Sequence, residues 1–126
     1  MNFSENSVFK LKKISISDVN KNVLKLLLPD EEIISAYKTV RDQVIFTNKR
    51  IIPIDVQGIT GAKQEFFSLP YSKVLYFGVQ TPALIEWTVK DAELALFFAN
   101  KMKVVFEFKG DSDILEIGKM ISKFVL

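Results

Sequence analysis

The stretch KVVFEFKGDSDILEIGKMISKFVL (Lys103–Leu126) carries two hydrophobic periods in succession, and their order decides the architecture. Val104, Phe106 and Phe108 alternate with Lys103, Glu107 and Lys109, the period of two expected of a half-buried strand with a wet outer face. After Gly110 the period lengthens. Ile114, Ile117, Ile121 and Phe124 or Val125 make one apolar stripe at helical spacing. Ser112 or Asp113 is the candidate N-cap, and Asp113 with Glu116 has capping-box spacing, which predicts a helix over 112–126. Gly118 falls on or beside the stripe. A mid-helix glycine costs about 1 kcal/mol relative to alanine, so its presence points to close approach of the helix to a sheet.

Upstream of this stretch, Leu94, Leu96 and Phe98 alternate with Glu93, Ala95 and Phe97, and Asn100-Lys101 reads as a short hairpin turn. Earlier strands are expected at Ile33–Val40, Gln43–Thr47, Arg50–Val56, Lys63–Leu69 and Val74–Thr81. Strands joined by short turns must be antiparallel, because a parallel crossover needs a dozen or more residues. The expected fold is mainly β: a seven-stranded antiparallel sandwich or partly open barrel capped by a C-terminal α-helix. A further helix is expected over 17–28, capped by Ser17, with Val19, Val23, Leu26 and Leu27 on one side and Pro29 closing it. Residues 17–126 then form one domain. Residues 1–16 read as a polar, solvated segment whose order the residues leave open.

The chain has 126 residues, within one domain at about 150 residues per domain. It contains no histidine and no cysteine. Imidazole bases, thiolate nucleophiles, disulfides and imidazole or thiolate metal ligands are therefore all excluded. No EF-hand spacing offers an oxygen-only alternative, so no cofactor or metal is implied and a non-enzymatic protein is expected. Its 17 Lys+Arg against 15 Asp+Glu include only two arginines, Arg41 and Arg50, which argues against a nucleic-acid partner. No apolar run approaches the ~18 residues that span a bilayer. Met1–Phe9 lacks a signal-like apolar core, so a cytoplasmic location is expected. Eleven phenylalanines and a mean hydropathy of +0.18 are rich for a small monomer, which suggests surface covered by other subunits.

Several segments, in order, resemble the bacterial pleckstrin-homology-like family: Leu28-Pro29-Asp30-Glu31-Glu32-Ile33, Val40-Arg41-Asp42, Phe46-Thr47-Asn48-Lys49-Arg50, Asp55-Val56-Gln57-Gly58-Ile59-Thr60-Gly61, Leu69-Pro70-Tyr71 and Asp91-Ala92-Glu93-Leu94. The resemblance covers about residues 17–126. It implies a binding or scaffolding module that assembles into ring-like homo-oligomers. Eukaryotic relatives often bind phosphoinositides through a basic first strand pair. Here that place offers Lys38 and Arg41 with Asp42 adjacent, too few cations to carry the activity across, and fold alone does not transfer function.

The remaining candidates divide by chemistry. Lys49 and Arg50, with Lys38 and Arg41, are candidate anion or lipid contacts, although Thr47–Arg50 also reads simply as a hairpin turn. Gly58-Ile59-Thr60-Gly61-Ala62-Lys63 lacks phosphate-loop spacing and precedes a strand. Asp30-Glu31-Glu32 reads as a solvated turn, and Asp91 with Glu93 as the remaining carboxylate pair. Leu84, Ile85 and Trp87 lie where strand alternation breaks down, and Phe97 lies on the outer register of its strand; these four are candidate interface residues. The leading functional expectation is self-association and protein contact. The alternative is a peripheral membrane module meeting anionic lipid through Lys10, Lys12, Lys13, Lys38 and Arg41.

Overall fold

The computed structural model describes residues 7–85, 87–110 and 113–126. Among them are eleven strands: β1 (Ser7–Ile14), β2 (Ile33–Lys38), β3 (Gln43–Thr47), β4 (Arg50–Gln57), β5 (Lys63–Phe66), β6 (Leu69–Pro70), β7 (Tyr76–Gln80), β8 (Ala83–Ile85), β9 (Thr88–Lys90), β10 (Ala92–Phe97) and β11 (Lys103–Phe108). One α-helix, α1 (Ile114–Val125), follows. The main sheet runs β5-β4-β3-β2-β1-β11-β10-β7 and stays open, with β6 beside β4 and β8–β9 as a separate hairpin. All seven strands expected from hydrophobic periodicity are present as β2–β5, β7, β10 and β11.

Helix α1 forms as its stripe dictates. Asp113 is the N-cap and accepts from the Glu116 N–H at 3.3 Å; Ser112 lies outside the described residues. Ile114, Ile117, Gly118 and Ile121 are the buried face. A Cβ on Gly118 would stand 3.1 Å from Val79 Cγ1 of β7, so the glycine does mark a close helix–sheet approach. Asn100 and Lys101 both adopt left-handed backbone (φ 61° each), the conformation of a two-residue hairpin turn between β10 and β11.

Two expectations are corrected. The helix over 17–28 is replaced by 3-10 turns at Ile16–Asp18 and Lys21–Lys25. The cause is Asn20. Its side chain accepts from the Asn22 N–H at 2.9 Å and its own N–H donates to Gln43 Oε1 at 2.7 Å, so the backbone is pinned to β3 where a helix would need to continue. The first cap is Ser15, not Ser17.

The second correction concerns strand direction at β1, which lies in the N-terminal segment whose order the residues leave open and whose lysines are exposed. Ser7–Leu11 pairs parallel with β11, and Lys12–Ile14 pairs antiparallel with β2, so the strand joins the two halves of the sheet and the all-antiparallel expectation fails at this seam. Its signal is disguised by a bulge. Val8 and Leu11 both point inward, three residues apart, because the register shifts between them.

The main core lies inside the curled sheet under α1, where Tyr37 meets Phe46 and Phe108 edge-on, ring centroids 5.6 and 4.9 Å apart. A second apolar layer sits on the outer face of β2–β4. There Val19 and Val23 of the 3-10 segment cover Ala36, Ile45, Ile52 and Ile54. Burial on both faces explains the continuous apolar runs of β3 and β4. It also absorbs part of the hydrophobic excess that composition alone assigns to subunit contacts.

Candidate binding surfaces

Residues 26–50 form a buried polar staple. The Glu31 side chain is fully buried, and its carboxylate accepts two hydrogen bonds from Arg50, Nε at 2.9 Å and an Nη at 2.8 Å. It also accepts from the Thr47 hydroxyl at 2.6 Å and the Leu28 N–H at 3.1 Å. Burial pushes the Glu31 carboxyl up, but these hydrogen bonds outweigh it and hold the group below its ordinary value. Arg50 donates further to the Leu26 carbonyl and Ser68 hydroxyl. Lys49 pairs with Asp30 at 3.0 Å. Both basic residues of this turn are therefore committed within the chain, and the turn reading holds for Thr47–Arg50. The reading of Glu31 as solvated is corrected: the apolar run that follows draws its carboxylate inward, and Arg50 meets it there.

Lys38 and Arg41 have a different setting. The β2–β3 turn closes through the Thr39 N–H to the Asp42 carbonyl at 2.9 Å and the Asp42 N–H to the Thr39 hydroxyl at 3.0 Å. Asp42 is only 2% exposed and accepts from the Val56 N–H at 2.8 Å, so its carboxylate is turned inward. Val40 is left fully exposed at the turn. Arg41 donates to the Gly58 carbonyl, which ties the turn to the β4–β5 loop. Lys38 stands directly opposite Lys12 of β1. With Lys10 and Lys109, these residues line an open groove of about 620 Å³ with Phe9 at its rim. The sequence spreads these cations over a hundred residues; β1 assembles them. A larger neighbouring hollow of about 780 Å³ beside the start of α1 carries both signs, with Asp113 and Glu116 facing Lys12 and Lys13.

The candidate interface residues flank β7, one open edge of the main sheet. Phe97 is half-buried on the outer register and stacks on Tyr76, with centroids 4.2 Å apart and rings within 6° of parallel. Lys103 sits 5.5 Å above the Phe97 ring. Tyr76 and its neighbour Leu75 are 60% and 66% exposed. Trp87, in left-handed backbone (φ 65°) between β8 and β9, is 94% exposed. The side chains of Leu84 and Ile85 lie outside the described residues. Register places Phe97 at the start of β7 and the hairpin beyond its end, so about 13 Å of strand separates them. They are not in one cluster. They bracket one edge.

Asp91 and Glu93 converge with Glu107, which lies directly opposite Glu93. Burial raises the Glu107 carboxyl above its ordinary value, and the charges of Asp91 and Glu93 and a hydrogen bond with Asp91 raise it further, while Lys10 opposes them. Among the described residues no group of three metal-ligating side chains is arranged to hold an ion, and no helix is long and apolar enough to cross a membrane.

A family model for the bacterial PH domain matches residues 2–125. The chain belongs to the bacterial pleckstrin-homology domain family. This bacterial PH domain is 35% identical over 124 residues to the uncharacterized protein YjqA of Bacillus subtilis (strain 168), covering 97% of each chain. It is 32% identical to a solved pleckstrin-homology-domain protein of Shewanella loihica PV-4, with a TM-score of 0.80, covering 94% of this chain and all of the other. A pleckstrin-homology domain of Shewanella amazonensis SB2B is 35% identical with a TM-score of 0.66 over 90% of each chain. PH-domain proteins are in general binding modules rather than enzymes.

Proposed function

We propose that this bacterial PH domain is a non-enzymatic, cytoplasmic scaffolding module whose copies associate along the β7 edge. The observation that carries this reading is the edge itself. Sheet edges expose unpaired N–H and C=O groups, and soluble proteins blunt them with lysine, proline, bulges or covering segments. The sequence of β7, Tyr76-Phe77-Gly78-Val79-Gln80, holds no charge and no proline, and among the described residues only β10 pairs with it. The opposite edge, β5, is short and carries Lys63 and Glu65. Exposed Leu75, Tyr76 and Trp87 add apolar surface at both ends of β7. If the β7 edge of one copy meets a different surface of the next, the contact is head-to-tail and closes into a ring when its rotation divides a full turn; a ring-like homo-oligomer is the assembly the family resemblance implies. Sedimentation velocity at micromolar concentration tests it. The wild type should sediment as a closed oligomer, and Tyr76→Lys or Trp87→Glu should shift it to monomer with the melting transition of the fold retained. A monomeric wild type would refute the proposal.

The basic groove supports a second reading, contact with an anionic lipid surface. Vesicle co-flotation with and without anionic lipid checks it, and flotation independent of lipid charge would reject it.

A further inference from the structure

Trp87 is the only tryptophan of the chain, and nothing within one copy accounts for its placement. It lies in the turn between Ile85 and Thr88 in left-handed backbone (φ 65°), a conformation that such turns usually give to glycine or asparagine because it strains a bulky residue. Its side chain is 94% exposed, so no burial within the chain offsets that strain. Among the described residues the β8–β9 hairpin that carries it pairs only with itself. An isolated two-stranded hairpin is marginally stable in water. Thr81 and Pro82 join the hairpin directly to the end of β7, so it continues the β7 edge.

The hollow of about 780 Å³ beside the start of α1 has the chemistry to receive such a side chain. Ile34 and Tyr37 of β2 and Met120 of α1 give it an apolar floor, with Lys12 and Lys13 on one side and Asp113 and Glu116 on the other. Carrying both signs, it selects no simple ion. An indole suits it better: the ring covers the apolar floor, the Met120 thioether makes a favourable contact with an aromatic ring, and the negative ring face attracts lysine ammoniums. Ile34 is 40% exposed in the single copy. The hollow lies on the side of α1 toward β2, whereas Gly118 of the same helix packs on Val79 of β7, so it is a surface distinct from the β7 edge.

We propose that the hollow of one copy receives Trp87 from the hairpin of a second copy. The inference rests on the β7-edge reading above and supplies the different surface that a head-to-tail contact requires. A tryptophan anchored in a pocket is the kind of contact that dominates the energy of an interface. It gives the hairpin the support it lacks in the single chain, and it gives the left-handed turn a purpose, which is to hold the indole outward for the neighbour.

Because Trp87 is the sole tryptophan, intrinsic fluorescence of the full chain reads its environment without a label. On raising the concentration of the wild type, the emission maximum should move to shorter wavelength in step with assembly measured by sedimentation. Ile34→Glu should keep the long-wavelength emission of an exposed indole and weaken assembly roughly thirtyfold or more, the loss of one interface anchor. Ile34→Ser should act in the same direction, and serves should the charged variant fail to fold. The decisive step mixes two defective chains. Trp87→Glu keeps an intact hollow and contains no tryptophan; Ile34→Glu keeps Trp87 and has a spoiled hollow. Titrating the first into the second should shift the emission of the second and yield a complex that stops at two copies. Failure of that pair to complement would overturn the inference. So would a wild-type oligomer whose Trp87 emission stays that of an exposed indole and whose assembly Ile34→Glu leaves unchanged, although the β7-edge reading would then stand. A short-wavelength emission independent of concentration would place Trp87 in its own chain's hollow and overturn it as well. A wild type that stays monomeric would end both readings.

Discussion

Replacing Arg50 with alanine removes every donor that reaches Glu31 from β4 and leaves a carboxylate with no exposed side-chain surface. Two charge-assisted hydrogen bonds, at 2.9 and 2.8 Å, disappear, as do the one to the Leu26 carbonyl, which holds residues 26–31 against the β3–β4 turn, and the one to the Ser68 hydroxyl. The Thr47 hydroxyl and Leu28 N–H remain, so compensation is partial. Breaking a buried ion pair by deleting one partner costs about 3–5 kcal/mol, most of it from the uncompensated charge. We expect a loss in that range by urea denaturation at pH 7, and a smaller loss in Arg50→Ala/Glu31→Gln, where no buried charge is stranded. Arg50→Lys should rescue little, since one ammonium cannot reproduce the planar two-bond contact. The pH dependence fixes the sign. Glu31 has a depressed folded pKa, so its contribution is present above the ordinary carboxylate range and is lost as pH falls through the lowered folded value. An Arg50→Ala loss below about 1 kcal/mol, or an unchanged acid limb of the stability curve, would refute the reasoning.

Three further outcomes are expected. Leu11→Ala should cost about 2–5 kcal/mol by chemical denaturation, because Leu11 is fully buried; a solvated N-terminal segment would show almost no effect. Glu107→Gln should raise stability at neutral pH and flatten its pH dependence over the interval just above the ordinary carboxylate range. Glu107 has a raised folded pKa, so the wild type loses stability as pH rises through that interval. Gly118→Leu should destabilise by about 1–3 kcal/mol, because even a Cβ there stands 3.1 Å from Val79; thermal melts decide it.

The strands and the last helix were legible because their signals are local. Alternation in Leu94–Phe98 and Val104–Phe108, the Asn100-Lys101 turn and the stripe of α1 all follow from neighbours within a few residues. What sequence reading missed depends on distant partners. The helical spacing of Val19, Val23 and Leu26 is real, but Asn20 bonds to Gln43 and Gln64, and docking onto β2–β4 breaks the helix. Strand β1 was hidden because its bulge turns a period of two into the Val8–Leu11 spacing of three. The site was legible in its residue types and not in their grouping. Arg50 and Lys49 looked available until Glu31 and Asp30 came to meet them. Lys38 and Arg41 stand beside Lys10 and Lys12 only because β1 pairs with β2, a juxtaposition no local pattern announces.

Hydrogen–deuterium exchange of the full chain at low and high protein concentration bears most directly on the β7 edge as the subunit contact. Assembly should slow exchange at Tyr76–Gln80 and in the β8–β9 hairpin. An oligomer whose β7 amides exchange as fast as in the dilute monomer would contradict the account.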